Sequence, residues 1–344
     1  MFIDIADRIR RHGFKRLLLA VSGGLDSICL AHYFIENRET LGMEWLGIAH
    51  VHHGLRKGTA DRDAAFVEAF AKAHHVPFFL KKLNGEALKA AGGSLEENAR
   101  EARYQALKNI AEANKCVIVT AHHAGDQAET MYMRLRRGTT LAGMRGIQEV
   151  RENIYRPFLS ISREELLAYA RENSLEWCED ESNADVKFAR NFIRHEALPR
   201  LEESCPGATE QLCRMAKLAD RAYARVLERC ENLFAGTRTA EANEEAGTTK
   251  RVSLDKKALR KVLLEHSDAD LSEMFRLWLS EQGLRFPIAF FYGLEEPAHV
   301  KIPHRATYRK RSIVKIGRTV RICEFESPEE AQKFVSCGMK EKGL

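Results

Sequence analysis

A short apolar run, Leu17-Leu18-Leu19-Ala20-Val21, breaks into Ser22-Gly23-Gly24-Leu25-Asp26-Ser27 and then into a helical pattern. A run of this length ended by paired glycines predicts a buried strand that turns directly into a helix. Glycines let backbone N–H groups approach an anion closely, and a first helical turn adds unpaired donors and the positive end of a dipole. Ser22 and Ser27 add hydroxyls, and Asp26 offers a carboxylate to a metal or a polar substrate group. Ser22, Gly23, Gly24, Leu25, Asp26 and Ser27 therefore predict a phosphate cradle. No Gly-Lys-Ser/Thr follows, so it is not a Walker loop, and the third glycine of the dinucleotide fingerprint is missing.

The first half alternates strand and helix. Strands are predicted over 16–21, 45–50, 77–80 and 116–120, with helices over 26–37, 59–74, 94–113, 125–137 and 162–172. Ser94 with Glu97, and Ser162 with Glu165, are spaced as capping boxes. Short apolar strands separated by helices imply an α/β fold, a parallel sheet with helices on both faces. Ligands of such sheets bind beyond the carboxyl ends of the strands, where Ser22–Ser27 falls. A helical stretch over 198–234, interrupted near Cys205-Pro206-Gly207, is followed by a polar linker over 236–249. Beyond it, helices over 255–265, 270–282 and 328–337 and strands over 311–316 and 319–325 predict a small α+β domain. The division expected is 1–205 for a catalytic domain, 206–249 for a helical connector and linker, and 250–344 for the small domain.

With 344 residues, 44% hydrophobic and 30% charged, the chain is long enough for two domains with their own cores. No run reaches about 18 apolar residues, and the N-terminus lacks the pattern of a secretion signal, so the cytoplasm is the compartment expected and no membrane partner is implied. The eight cysteines are scattered, with no Cys-x-x-Cys pair, and are expected to be reduced. Net charge is only +5, but residues 297–321 hold Lys301, Arg305, Arg309, Lys310, Arg311, Lys315, Arg318 and Arg321 and no acid. That stretch suits a polyanion.

Four further clusters fall where a strand-end site would assemble. His50, His52 and His53 end the second strand, with Arg56 beyond; they either cap the sheet edge or line a nucleotide. Arg100 and Arg103, three apart, share a helical face that is either solvated or aimed at phosphate. His122, Asp126 and Glu129 follow the fourth strand, spaced to move protons or meet a cation, and a hard oxygen-liking ion such as magnesium fits better than zinc. Last come Asp180, Ser182 and Asn183, then Arg190 and Arg194.

In order and content these segments resemble the N-type ATP pyrophosphatases and, within them, the tRNA(Ile)-lysidine synthetase family. The resemblance rests on Ser-Gly-Gly-Leu-Asp-Ser, His-Val-His-His-Gly-Leu-Arg, Glu-Asn-Ala-Arg…Arg-Tyr, Ala-His-His…Asp-Gln-Ala-Glu-Thr, Arg156-Pro157-Phe158-Leu159, and Asp180…Ser182-Asn183 followed by Arg190-Asn191-Phe192-Ile193-Arg194. It is dense over residues 14–201 and looser beyond. One departure is Gly125, where the family often carries an acid.

The resemblance implies an adenine nucleotide alpha hydrolase-like fold and an ATP-dependent ligase, with ATP and Mg2+ as cofactors. Cofactor-binding residues would be Ser22, Gly23, Gly24, Leu25, Asp26, Ser27, His50 and His52, with Asp26 and Asp126 on the metal. Catalytic residues would be Asp26, Arg100, Arg103, His122, Asp126, Glu129, Arg190 and Arg194. The partners implied are L-lysine and an isoleucine tRNA with a CAU anticodon, held in part by residues 250–344. A homodimer is allowed, and oligomeric state is left open. Two other functions are weighed: a tRNA thiolation enzyme of the same superfamily, and a non-catalytic RNA- or nucleotide-binding relic. Missing Cys-x-x-Cys spacing speaks against the first, and joint retention of Asp26, Asp126 and the arginines against the second.

Overall fold

A computed structural model describes residues 3–54, 59–179, 189–234, 251–255, 274, 277–280, 305–308, 311–316, 319–324, 327 and 329. Arg56, the segment 180–188 with Asp180, Ser182 and Asn183, and the linker 236–249 lie outside them. The chain divides into two compact units, 1–220 and 221–344.

In the first unit the order is Ile3–His12 (α1), Arg16–Ala20 (β1), Leu25–Glu36 (α2), Trp45–His52 (β2), Thr59–Ala73 (α3), Phe78–Lys82 (β3), Gly85–Ala90 (α4), Leu95–Asn114 (α5) and Val117–Val119 (β4). There follow Ala124–Arg137 (α6), Leu141–Met144 (α7), Val150–Arg151 (β5), Ile154–Tyr155 (β6) and Arg163–Glu172 (α8). Ala189–Phe192 (α9) runs through a π-helical turn, Ile193–Ala197, into Leu198–Ser204 (α10) and then Ala208–Phe234 (α11), which from Arg221 onward counts with the second unit.

The sheet has the order β3-β2-β1-β4-β6-β5. Every pair is parallel except the edge hairpin of β5 with β6. Chain order reverses between β1 and β4, so the crevice of a doubly wound sheet opens there, above the loops that follow both strands.

Side chains of a strand alternate between faces, and the core divides accordingly. Leu17, Leu19, Val21, Ile48, Val119 and Tyr155 pack in one cluster with residues of α2, α3 and α8. Leu18, Ala49, Ile118 and Ile154 pack in another with Leu107 and Ala111 of α5. Helices cover both faces, as expected. The same parity carries past the strand ends, giving an α2/α3 side and an α5 side to the crevice.

The second unit contains a four-stranded antiparallel sheet of Arg251–Asp255 (β7), Arg305–Tyr308 (β8), Arg311–Ile316 (β9) and Thr319–Glu324 (β10), in the order β7-β10-β9-β8. Met274 and residues 277–280 are helical. There Trp278 is buried against Phe234, ring centroids 5.4 Å apart, and its indole N–H donates to Glu231 at 2.8 Å. Of the helices expected over 255–265 and 328–337, Asp255 instead ends β7 and Glu329 is helical, the remainder lying outside the described residues.

Candidate functional site

The loop after β1 is shaped by one hydroxyl. Ser27 Oγ accepts from the N–H groups of Ser22 (3.1 Å) and Gly23 (3.3 Å) and donates to the Gly24 carbonyl (2.9 Å). Gly23 has φ +101°, a backbone region that side chains disfavour. Gly24 caps α2 without a side-chain bond, which leaves the first-turn N–H groups of the helix for a ligand. The side chain of Leu25 is buried in the core, so only its backbone can face a phosphate. His50 Nδ1 lies 2.9 Å from the Val21 carbonyl and fixes the strand end just before the loop. Cys178 closes the other side, its N–H donating to the Gly23 carbonyl at 2.9 Å.

Facing this loop across the β1/β4 crevice is the start of α6. Its N-cap is His123, whose Nδ1 accepts from the Gly125 N–H at 3.0 Å, while Asp126 Oδ2 accepts from the His123 N–H at 3.0 Å. This is a capping box with histidine in place of serine. Because Nδ1 is an acceptor, a neutral ring carries its proton on Nε2. That nitrogen sits between two carboxylates, 3.7 Å from Asp26 Oδ2 and 3.8 Å from Asp126 Oδ2. Gly125 makes room for it: a Cβ there would lie 2.6 Å from His123 Cε1. The space that a side chain at this position would take is filled by the His123 ring.

One turn on, Glu129 is 2% exposed and holds two guanidiniums, Arg190 Nε at 3.0 Å and Arg194 Nε at 2.5 Å. Arg194 also reaches Asp126 Oδ1 at 3.4 Å. It projects from the π-helical turn, an irregularity that commonly re-aims functional side chains. The two acids nearest His123 diverge. Burial pushes the Asp26 carboxyl above its ordinary range, against the pull of His123. Burial acts on Asp126 too, but His123, His122 and the capping N–H outweigh it and hold Asp126 low. Divergent acids side by side are a common device of acid–base sites.

A second group lies on the α5 side. Arg100 and Arg103 each place their guanidinium 5.2 Å from the Tyr104 ring centre. His122 Nδ1 lies 2.8 Å from Thr120 Oγ1, and burial, with Arg156, Arg103 and Arg100 adding to it, lowers His122 to about 3 despite Asp126. Burial and then Arg103 lower His53 to about 4. His52 points elsewhere: its Nδ1 accepts from the Gly54 N–H at 3.1 Å and its Nε2 is 3.4 Å from Asp61 of α3.

The crevice thus brings together Ser22–Ser27, Asp26, Asp126, Glu129, Arg190 and Arg194, with His122, Arg100 and Arg103 to one side. His50 supports the loop from behind, and His52 turns toward α3. The motif reading singles out His122 of the histidine pair, whereas His123 stands between the acids. The predicted helix start at 125 lies one residue late: the helix begins at Ala124, which makes His123 the N-cap, with an acid three residues on. Asp26 Oδ1 is a buried carboxylate oxygen with no partner. Asp26 and Asp126 are the carboxylates that could meet a hard cation such as Mg2+, which takes one or two carboxylates plus phosphate oxygens; among the described residues no three His, Cys, Asp or Glu side chains are grouped to hold one by themselves.

A parallel sheet with an anion-binding loop at its switch point, faced by paired acids and arginines, defines a nucleotide-site α/β protein. The chain belongs to the PP-loop domain family, whose model matches residues 3–201. It is 34% identical over 276 residues to a tRNA(Ile)-lysidine synthase of Haemophilus ducreyi, covering 79% of this chain and 59% of that relative. To the tRNA(Ile)-lysidine synthase of Geobacter sulfurreducens it is 40% identical over 210 residues, covering 59% and 44%. The chain therefore spans about half the length of the curated relatives it matches. In fold it is similar to a U34-tRNA thiolase, NcsA, from Methanococcus maripaludis with its [4Fe-4S] cluster (TM-score 0.51, 17% identity, 63% of this chain and 78% of that one). No described helix is long and apolar enough to cross a membrane.

Proposed function

We propose that this chain uses ATP to attach L-lysine to C2 of the wobble cytidine in the CAU anticodon of an isoleucine tRNA. The observation that carries the reading is the Asp26–His123–Asp126 arrangement beside the Ser22–Ser27 loop, backed by Arg190 and Arg194 on Glu129. The lysidine-synthase relatives support the substrate.

The loop would hold the leaving pyrophosphate of ATP. The cytidine, flipped out of the anticodon, attacks the α-phosphorus through its C2 oxygen; that O–P bond forms as the bond to pyrophosphate breaks. Lysine then attacks C2 through its ε-nitrogen, and the C2–O bond breaks to release AMP. Mg2+ held by Asp26 and Asp126 would neutralise phosphate charge when bound. Arg194 and Arg190 are fixed by Glu129 before ligand arrives, so they add positive charge near the phosphorus at little reorganisation cost.

The lysine ammonium must lose a proton before it attacks. Of the four candidates, His122 is too weak a base, Asp126 is held low, and both oxygens of Glu129 are bound to guanidiniums. Asp26, which keeps one buried oxygen free of any hydrogen bond, fits best.

The test measures AMP release and labelled-lysine incorporation with ATP, lysine and the tRNA each omitted in turn. Dependence on all three is expected; AMP release without tRNA, or sulfur incorporation instead of lysine, would sink the reading. On preformed adenylated tRNA, Asp26→Asn should abolish lysine transfer. Loss confined to pyrophosphate release would remove Asp26 as the base.

A further inference from the structure

The arginine of Arg156-Pro157-Phe158-Leu159 has no part in the chemistry above, yet it is 6% exposed. It follows β6 with the parity of Ile154, whose side chain packs with α5. Its Nη1 donates to the Gln148 carbonyl at 2.8 Å, and its Nε is buried without a partner. Among the described residues no carboxylate lies within ion-pair distance of Arg156, Arg103 or Arg100. Glu152 feels Arg156, but is committed to Lys108 at 2.8 Å. Tyr104 sits beside Arg103 and Arg156; its hydroxyl meets both guanidiniums in poorly aligned contacts, which lend them no counter-charge. The neighbouring His53 Nδ1 is likewise buried and unpartnered.

A buried guanidinium without a counter-ion is expensive to keep, and here Arg100 and Arg103 add like charge. Arg190 and Arg194, by contrast, have their carboxylate. The deficit is local, with the planar donors of Arg156 and Arg103 and the hydroxyl of Tyr104 left to share. We propose that Arg156, with Arg103 and Tyr104, forms a second anion subsite, which takes a phosphoryl group on the α5 side of the crevice, apart from the Ser22–Ser27 loop. That phosphoryl group belongs either to the nucleotide or to the RNA backbone. The proposal rests on the function above only in the choice of RNA.

The experiment compares wild type, Arg156→Met and Arg156→Lys in the full chain. It measures ligand-free thermal stability, ATP affinity by calorimetry, and affinity for the CAU anticodon stem-loop as a function of salt. Removing a charge-assisted hydrogen bond should weaken the affected ligand roughly tenfold or more in Arg156→Met, with partial recovery in Arg156→Lys. If ATP alone weakens, the phosphoryl group is the nucleotide's. If the stem-loop weakens and its log–log salt slope falls by about 0.7, it is the RNA's. Ligand-free stability of Arg156→Met should stay level or rise, since an uncompensated charge has been removed. Unchanged affinity for both ligands, or a loss of stability with affinities intact, would make Arg156 a structural residue and overturn the proposal. Neither arm requires lysine transfer, so failure of the lysidine reading would show separately, as wild-type protein that binds but does not incorporate lysine.

Discussion

Asp26 is the residue at which stability and the proposed function oppose each other most directly. Burial raises its carboxyl, so ionising it costs the folded state, and stability falls as pH rises through and beyond the ordinary carboxylate range. Asp26→Asn should leave ligand-free stability at pH 7 level or raise it by at most about 1 kcal/mol, because part of the side chain still meets solvent. The same variant should lose roughly a hundredfold or more in tRNA-dependent AMP formation. Urea unfolding read beside AMP release checks both halves, and a clear loss of stability would count against the raised carboxyl. His53 behaves oppositely. Its folded value of about 4 lies below the ordinary histidine value of about 6.5, so the unfolded chain binds a proton that the folded chain refuses. The stability linked to it is complete above pH 6.5 and is lost as pH falls toward 4, by about 1–2 kcal/mol since part of the ring meets solvent. His53→Gln should flatten the unfolding free energy over that window relative to wild type, and parallel curves for the two proteins would contradict the burial effect.

At the scale of elements, the start of α6 couples a cap to a site. His123→Ala should cost about 1 kcal/mol as a lost N-cap. His123→Asn should return that stability, since asparagine caps as well, but not the N–H between Asp26 and Asp126. Activity that recovers along with stability in the asparagine variant would reduce His123 to a cap. Gly125→Ala should displace the ring, lowering activity while stability moves by no more than about 1 kcal/mol. This junction also shows what can be read in advance. The four parallel strands next to the crevice are legible because each is an apolar run closed by polar or glycine residues, and Ser162 with Glu165 forms both bonds of its box. Ser94 forms only one, accepting from the Glu97 N–H. The β5/β6 hairpin is not legible: two-residue strands have no periodicity to display. Nor is the choice between His122 and His123, because it depends on which ring the N-cap turns toward Asp26, a residue about a hundred positions away. The separation of the arginines into a pair bound by Glu129 and a set without a carboxylate is likewise a tertiary outcome. Spacing alone gives all of them the same reading.

For the whole molecule, the candidate site and the acid-free basic stretch fall in different units. The acids and arginines of the crevice lie within residues 1–220, and the eight basic residues of 297–321 lie within 221–344, several of them on β8, β9 and β10. A site that adenylates one base needs little charge beyond the base and its flanking phosphates, whereas holding a folded tRNA needs cations spread along the backbone. The acid-free stretch would supply the second kind. Replacing Arg305, Arg311, Lys315 and Arg321 together by glutamine in the full chain should weaken tRNA binding. It should also flatten the dependence of log affinity on log salt, by roughly 0.7–0.9 for each phosphate that is no longer neutralised. AMP release on a bare anticodon stem-loop, which lacks the rest of the tRNA backbone, should be unaffected. That pairing separates the two roles. If stem-loop and whole tRNA weaken equally, the basic strands serve the reacting base itself, and if neither weakens, the charge of 297–321 has nothing to do with RNA.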